Sequence, residues 1–204
     1  MLYLITCHDL ETVICYAPRW KSTNKGLFEE CEGIENSDFV NGVGEMDNYL
    51  FNYCKNLKTV WWKGKINRIG VQCFGATGLE QFCVNAKNID SCAFIGCEDL
   101  KEIHIRSGVE NLNMTAFAML TGIETICLEG IDPDVMEADW VNLQNSTVTI
   151  MVPEDTTDEQ LQLVTQKFAS AYIIVNKSQV QKDSCQLSDD PMPDIDGLVG
   201  AYGI

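Results

Sequence analysis

Ten cysteines and two histidines are the residues of this 204-residue chain whose side chains could do chemistry. A thiol can act as a nucleophile, bind a metal or form a disulfide, and a nearby histidine can serve as base or ligand. The chain contains no Cys-x-x-Cys and no His-x-x-x-His pair, the spacings that mark many zinc and redox sites. Chemistry at these residues therefore depends on how the fold brings distant side chains together.

The cysteines point to a repeat. Four of them share one position of a recurring phrase, namely Cys7, Cys31, Cys54 and Cys97. Each follows an apolar lead residue by three positions, and the leads are Leu4, Phe28, Phe51, Phe74, Phe94, Phe117 and Trp140. The spacings of 24, 23, 23, 20, 23 and 23 residues predict a solenoid, whose coils have about 20 to 29 residues each. The second repeat is degenerate, with Ser37 where an apolar residue is expected.

The clearest copy of the phrase runs from Ala93 to Ile105 (AFIGCEDLKEIHI). This phrase, at 23-residue spacing, resembles the BspA-like leucine-rich repeats of bacterial surface antigens, and the resemblance covers about residues 1–150. It implies an α/β repeat solenoid with right-handed coils. A parallel β-sheet would line the concave face, and short helices or turns the convex face. It also implies an exported protein of the cell surface.

Strand residues alternate between the inside and the outside of each coil. Counting from the leads predicts that pairs such as Val60 and Trp62, or Ile103 and Ile105, point inward. The residues between them form three outward columns. The first is Thr12, Asn36, Thr59, Gln81, Glu102 and Thr125. The second is Ile14, Asp38, Trp61, Cys83, His104, Cys127 and Thr149. The third is Tyr16, Val40, Lys63, Asn85, Arg106 and Glu129.

The shared cysteine position has two interpretations. Equivalent residues of adjacent coils lie about 4.8 Å apart, close to the Cα separation of a disulfide. Cys7 could therefore bond to Cys31, or Cys31 to Cys54. The other interpretation is a column of small buried side chains. Leu120 occupies the same position in another repeat, which favours the buried column.

Cys83, His104 and Cys127 share the second outward column. A Cys–His pair there could act as a nucleophile and base, but an open sheet offers no pocket or oxyanion donor. Strand spacing puts Cys83 and Cys127 about 10 Å apart, too far for one zinc ion to bridge. The sequence thus predicts no catalytic residues, no metal site and no cofactor, so the protein is not expected to be an enzyme.

Solenoids bind partners through their extended concave surface. The predicted binding residues are Trp61, Lys63, Asn85, His104, Arg106 and Tyr16. Trp61 is the expected anchor, since exposed tryptophans are frequent hot spots. Two other interpretations stand: Trp61 only covers its neighbours, or the register slips by one residue and exposes Trp62.

Charge narrows the class of partner. The formal charge of −16 argues against nucleic-acid binding and against docking on anionic lipid. Residues 55–106 carry 8 basic and 5 acidic residues, net +3, within an otherwise acidic chain. We expect a protein or peptide partner, and an acidic segment, the chain's own tail included, would suit this zone. The other interpretation is a solvated face with uneven charge.

The ends complete the predicted organisation. Residues 1–150 form the solenoid, 151–176 a C-terminal cap and 177–204 an acidic tail. In the cap, Leu161, Val164 and Phe168 share one helical face, with Thr157 or Asp158 as the N-cap. The first coil has no polar cap, so either the chain is a fragment or the open edge of this coil pairs with something, for example with a second copy of the chain.

The start of the chain has no recognisable signal peptide, and no run of about 18 apolar residues exists. The chain as given therefore indicates a cytoplasmic location, or an extracellular one if it is a fragment of a typical family member.

The leading hypothesis is a non-enzymatic module that binds a protein through the concave sheet. The alternative is an exported adhesin or carbohydrate-binding module that stacks sugars on Trp61 and Tyr16. A thiol-based redox or metal protein would rest on the cysteine count alone.

Overall fold

The computed structural model describes residues 8–16, 20–21, 25–39, 42–62, 64–113, 115–129, 147–168 and 172–177. The strands are β1 (Thr12–Cys15), β2 (Trp20–Lys21), β3 (Asn36–Phe39), β4 (Val43–Met46), β5 (Thr59–Trp62), β6 (Ile66–Ile69), β7 (Gln81–Val84), β8 (Ala86–Ile89), β9 (Glu102–Ile105), β10 (Asn111–Leu112), β11 (Thr125–Leu128), β12 (Thr147–Val152) and β13 (Tyr172–Lys177). One helix, α1 (Asp158–Lys167), lies between the last two strands.

The strands that the repeat predicts form the concave face as two parallel sheets. One has the order β1-β3-β5 and the other β13-β12-β11-β9-β7. Residues 23 positions apart face each other, as in the pairs Thr59 with Asn36 and Thr125 with Glu102. The predicted leucine-rich-repeat solenoid with a parallel concave sheet is therefore confirmed.

The concave face is interrupted between β5 and β7. Phe74 and Phe94 lead coils that are 20 rather than 23 residues apart, so this coil is the short one. No strand pairing joins β5 to β7 in the described part of the chain. The cores of the two sheets remain in contact, since the rings of Trp62 and Phe82 lie 5.6 Å apart.

A third parallel sheet, which the sequence did not predict, runs along the stack in the order β10-β8-β6-β4-β2. Four of its strands end in the apolar residue that precedes a lead by five positions, namely Met46, Ile69, Ile89 and Leu112, and these are buried. Turns, not helices, follow at residues 48–53, 71–76 and 91–96. The sequence predicted short helices or turns on the convex side, and the described segments on that side are turns.

The lead phenylalanines stack along the solenoid and form the centre of its core. Their ring centroids are separated by 5.4 Å for Phe28 and Phe51, 5.7 Å for Phe51 and Phe74, 5.3 Å for Phe74 and Phe94, and 5.2 Å for Phe94 and Phe117. Each of these rings stacks on a lead ring of an adjacent coil. The coils therefore stabilise one another as nearest neighbours.

The C-terminal elements extend the stack. Thr157 caps α1, since its hydroxyl accepts from the Gln160 N–H while the Gln160 side chain accepts from the Thr157 N–H. Val164 and Phe168 are buried, and β13 pairs in parallel with β12. The N-cap prediction at Thr157 is confirmed. The division at residues 150 and 176 stays a prediction, and residues 178–204 lie outside the described residues.

One predicted register is wrong. Counting one lost residue after Trp140 placed Thr149 beside Cys127, whereas the structure pairs Thr149 with Thr125 and Met151 with Cys127. Ile150 lies 24 residues after Ile126, its partner, so this coil is one residue longer than the 23-residue coil before it. Because the shift is two residues, each side chain keeps its predicted face.

Candidate functional site

Trp61 and Trp62 test the predicted register of the concave surface. Trp62 is 3% exposed and packs against Phe82, whereas Trp61 is half-buried on the outer face and pairs in register with Asp38. The register that exposes Trp61 is confirmed, and the slipped register that exposes Trp62 is wrong. Trp61 lies on the last strand before the break between the two concave sheets.

The other predicted binding residues flank this position. Asn85 follows β7, is half-buried and donates from Nδ2 to the carbonyl of Gly64 at 3.2 Å, which ties two adjacent coils together. Tyr16 follows β1, two strands from β5 in the sheet, and is 47% exposed. Lys63 lies outside the described residues. Tyr16 and Trp61 thus offer aromatic surface on the same sheet.

His104 is less exposed than predicted. It lies on the outer face of β9, yet it is only 8% exposed. Its Nε2 lies 2.6 Å from Oε1 of Glu102, two residues earlier on the same face of the strand. A partner would reach the imidazole only after Glu102 moved.

Arg106 is held by an ion pair. Its Nε donates to Oε2 of Glu129 at 3.0 Å, in the next coil, and both side chains are about four-fifths buried. The other carboxylate oxygen of Glu129 is buried and has no hydrogen-bond partner among the described residues. Arg106 therefore stabilises adjacent coils as well as contributing to the surface.

The basic zone is largely neutralised by such pairs. Lys55 pairs with Glu32 at 3.0 Å, Lys58 with Glu80 at 3.2 Å, Arg68 with Asp90 at 2.5 Å and Lys87 with Glu110 at 3.1 Å. Lys65 donates to the carbonyl of Gly108. Much of the positive charge that the sequence placed here is thus balanced by local carboxylates, so the field that a partner would meet is weak.

Asp38 gives the patch an acidic side. It lies half-buried between Ile14 and Trp61 in the second outward column, and burial raises the pKa of its carboxyl group. No described cation lies within ion-pair distance of it. A partner that covered Asp38 would have to supply a hydrogen-bond donor, because a buried carboxylate without one is costly.

Three cysteines of the shared column are buried thiols, and Cys7 lies outside the described residues. Cys31, Cys54 and Cys97 are fully buried and none of them forms a disulfide, so the buried column is confirmed and a disulfide between neighbouring coils is wrong. The Sγ of Cys54 donates to the carbonyl of Phe28 at 3.0 Å, and that of Cys97 to the carbonyl of Phe74 at 3.0 Å. Each thiol thus binds the lead residue of the preceding coil.

This hydrogen bond is a reason for cysteine that the repeat pattern did not reveal. Thr77, in the same position of the short coil, instead donates to the carbonyl of Phe74, the lead residue of its own coil, at 3.0 Å. Burial raises the pKa of Cys97 to about 11 and that of Cys54 further still. These thiols are therefore poor nucleophiles at neutral pH.

The thiols of the outer column differ from one another. Cys83 is disulfide-bonded, whereas the seven other described cysteines are free. Cys127, which was predicted to point outward, is almost fully buried because the Met151 and Glu102 side chains cover it. Burial, together with the carboxylates of Glu102 and Glu129, raises the pKa of Cys127 to about 11. A reactive Cys–His pair of the kind considered above would need a lower thiol pKa.

The Cys127 surroundings contain a cluster that sequence reasoning missed. Carboxylate, imidazole and thiol atoms of Glu102, His104 and Cys127 all lie within 4.8 Å of one another. Glu102 was assigned to the neighbouring outward column, so it was never considered with the other two. The sequence did contain a signal for this cluster. Side chains alternate between the two faces of a strand, so Glu102 and His104 lie on the same face of β9.

These features define the class of protein. The stacked coils and the parallel concave sheet are those of a leucine-rich-repeat solenoid, a fold that typically serves as a non-enzymatic binding scaffold. The model of the BspA type leucine rich repeat region matches in six copies, over residues 5–88 and 82–137. The chain therefore belongs to the BspA-type leucine-rich repeat family. This membership indicates a protein-interaction or surface-protein module.

Among solved structures, a vaccine antigen and a leucine rich cell surface protein match this chain, and the first agrees more closely with it in fold. The pneumococcal vaccine antigen PcpA has a TM-score of 0.68 and 16% sequence identity, with 86% of this chain and 44% of PcpA covered. A leucine rich cell surface protein from Faecalibacterium prausnitzii has a TM-score of 0.39 and 15% identity, with 81% of this chain and 65% of that protein covered. At such identities PcpA supports the fold alone, and this chain spans less than half of it.

No curated protein matches the sequence. Among the described residues, no helix has the length and apolar character needed to cross a bilayer.

Proposed function

We propose that this chain is a non-enzymatic module that binds a protein partner through its concave surface, with Trp61 as the anchor. The observation that carries the proposal is the contrast between the two adjacent tryptophans. Trp62 is buried in the core, whereas Trp61 is only half-buried and lies on the outer face of β5. Membership of a family of interaction and surface modules supports the same function.

The binding surface we propose consists of Trp61, Lys63, Asn85, His104, Arg106 and Tyr16. The ion pairs around it leave an aromatic anchor within a weak field, so apolar contact should contribute more to affinity than charge. The preference for an acidic segment then depends on lysines such as Lys101, which is exposed and makes no ion pair with a described residue. We expect the affinity to fall only modestly between low and physiological salt.

The experiment compares Trp61→Ala with Tyr53→Ala. Tyr53 is 46% exposed in a turn on the opposite side of the coil, so it is a matched aromatic away from the concave face. A partner is first identified by crosslinking from a photoreactive residue at Trp61, and then purified. Its dissociation constant is measured for both variants by calorimetry.

We expect Trp61→Ala to raise the dissociation constant by at least about tenfold, the usual cost at a hot spot. Tyr53→Ala should leave it unchanged. Equal effects of both variants, or none from Trp61→Ala, would contradict binding through the concave face. Circular dichroism of each variant shows whether a loss of binding is a loss of fold.

The second candidate is an exported adhesin or carbohydrate-binding module. The observation that favours it is Tyr16, whose exposed ring lies on the same sheet as Trp61 and could stack on a second sugar. A glycan array separates the two functions. Binding of defined glycans that is lost in both Tyr16→Ala and Trp61→Ala supports this candidate. Protein binding that depends on Trp61 and not on Tyr16 supports the first.

A further inference from the structure

The concave face contains a group of side chains of the types that bind metals, and only His104 among them belongs to the proposed partner-binding surface. Glu102 and His104 lie on β9, and Cys127 lies on β11, directly opposite His104 in the strand register. Their ligand atoms are within 4.8 Å of one another. We propose that Glu102, His104 and Cys127 form a zinc-binding site on the concave surface.

The chemical types of these ligands fit Zn²⁺. A carboxylate oxygen, an imidazole nitrogen and a thiolate sulfur are its three usual protein ligands, and three of them leave a fourth position for water or a partner. Ligand distances of about 2.0 to 2.3 Å in a tetrahedral site place the ligand atoms about 3.3 to 3.6 Å apart. The present separations, from 2.6 Å between Glu102 and His104 up to at most 4.8 Å, need only side-chain adjustment.

The backbone holds these ligands without a flexible loop. All three lie on adjacent, hydrogen-bonded parallel strands, so their Cβ positions are set by the sheet register. His104 and Cys127 are buried beneath the surface, whereas the Glu102 side chain is 39% exposed. The ion would enter from the side of Glu102 and keep its open position toward the concave face.

The surrounding charges favour a cation. Glu129 follows Cys127 by two residues; one of its carboxylate oxygens accepts from Arg106, and the other is buried without a hydrogen-bond partner among the described residues. Binding breaks the Cys127 S–H bond, forms a metal–sulfur bond and releases the proton to solvent. The Sδ of Met151, 3.6 Å from the Cys127 sulfur, would lose its present hydrogen bond and could remain as a neutral neighbour of the ion.

Cobalt substitution tests the site on the full chain. Co²⁺ is added to the folded, chelator-treated protein, and its spectrum is recorded before and after addition of Zn²⁺. A thiolate ligand gives a sulfur-to-cobalt charge-transfer band in the near ultraviolet. We expect one equivalent of Co²⁺ to produce this band and one equivalent of Zn²⁺ to remove it.

Variants identify the ligands. Cys127→Ser should abolish the band, whereas Cys92→Ser should keep it. Cys92 is the matched control because it is a half-buried free thiol whose sulfur bonds to Thr115. His104→Gln should weaken Zn²⁺ binding by more than about tenfold, since losing a group that merely orients a ligand costs about 10- to 100-fold.

The proposal is overturned by an absent band, by a band that survives in Cys127→Ser, or by equal Zn²⁺ affinity in His104→Gln and wild type. If Cys127→Ser does not fold, His104→Gln alone decides the matter. Neither readout involves a binding partner, so failure of this site leaves the Trp61 proposal untouched.

Discussion

The two halves of the concave face have the same backbone repeat but very different interiors. In the three-stranded half the inward column is Val13, Ser37 and Val60, of which the valines are half-buried and the serine is fully buried. In the five-stranded half it is Phe82, Ile103, Ile126, Ile150 and Val175, of which the first four are buried and Val175, on the last strand, is half-buried. The described buried atoms without a hydrogen-bond partner include Ser37 Oγ and Trp62 Nε1 in the first half.

The outer faces differ in the opposite sense. The three-stranded half presents Ile14, Asp38 and Trp61, with the carboxylate and the indole side by side. In the five-stranded half the side chains bind one another, as His104 does Glu102 and Arg106 does Glu129. The two aromatic residues of the proposed recognition surface, Trp61 and Tyr16, therefore lie in the less well packed half. Binding surfaces often reduce the stability of the protein that carries them, and the poorer packing of the three-stranded half agrees with this rule.

The largest expected effect on this comparison comes from shortening one inward side chain in each half to alanine. Ile103→Ala should lower the free energy of unfolding by about 2 to 5 kcal/mol, because a fully buried side chain leaves a cavity. Val60→Ala should cost only about 1 kcal/mol, since the side chain is half-buried and loses two methyl groups. Urea denaturation of both variants measures the difference. Equal losses would mean that the two halves are equally well packed.

A smaller effect of opposite sign is expected at Ser37. Replacement by valine removes a buried hydroxyl that has no partner and should raise the free energy of unfolding by about 1 to 3 kcal/mol. Ser37→Thr is the matched control, because it adds the same methyl group and keeps the hydroxyl. The gain should be clearly larger for valine than for threonine. Similar values for both would attribute the gain to packing volume rather than to the hydroxyl.

Features set by strict spacing were predictable from the sequence. The stacked phenylalanines and the outward position of Trp61 follow from a 23-residue period that admits one register. The third sheet was not predictable, because strands such as Ala86–Ile89 are too short to show an alternation of polar and apolar residues of their own. Thr149 was misplaced because its coil is longer than the count from Trp140 implied.

The candidate sites depend on what a linear pattern does not contain. Alternation assigned His104 and Cys127 to the outer face, but their burial depends on the conformations of Glu102 and Met151, which period and register leave undetermined. The sequence analysis assigned Glu102 to the first outward column and His104 and Cys127 to the second. In the structure the side chains of all three lie close together. Considering each column separately therefore missed the cluster.

The smallest expected effect concerns Asp38, the acidic neighbour of Trp61. Burial raises the pKa of its carboxyl group, so the folded chain holds this proton to higher pH than the unfolded chain does. The stability contributed by this proton is complete below the unfolded pKa and is lost as the pH rises through the folded pKa. Asp38→Asn should therefore raise stability at neutral pH, by less than Ser37→Val does.

The matched control for Asp38 is Glu32→Gln, which removes an exposed carboxylate in the same half of the molecule. Its pairing with Lys55 lowers the pKa of Glu32, so this substitution should slightly reduce stability at neutral pH. Thermal melts of both variants between mildly acidic and neutral pH measure the two signs. A destabilised Asp38→Asn variant would show that the carboxylate is bound by the fold. In that case Asp38 would no longer explain why the three-stranded half gives up stability beside its exposed tryptophan.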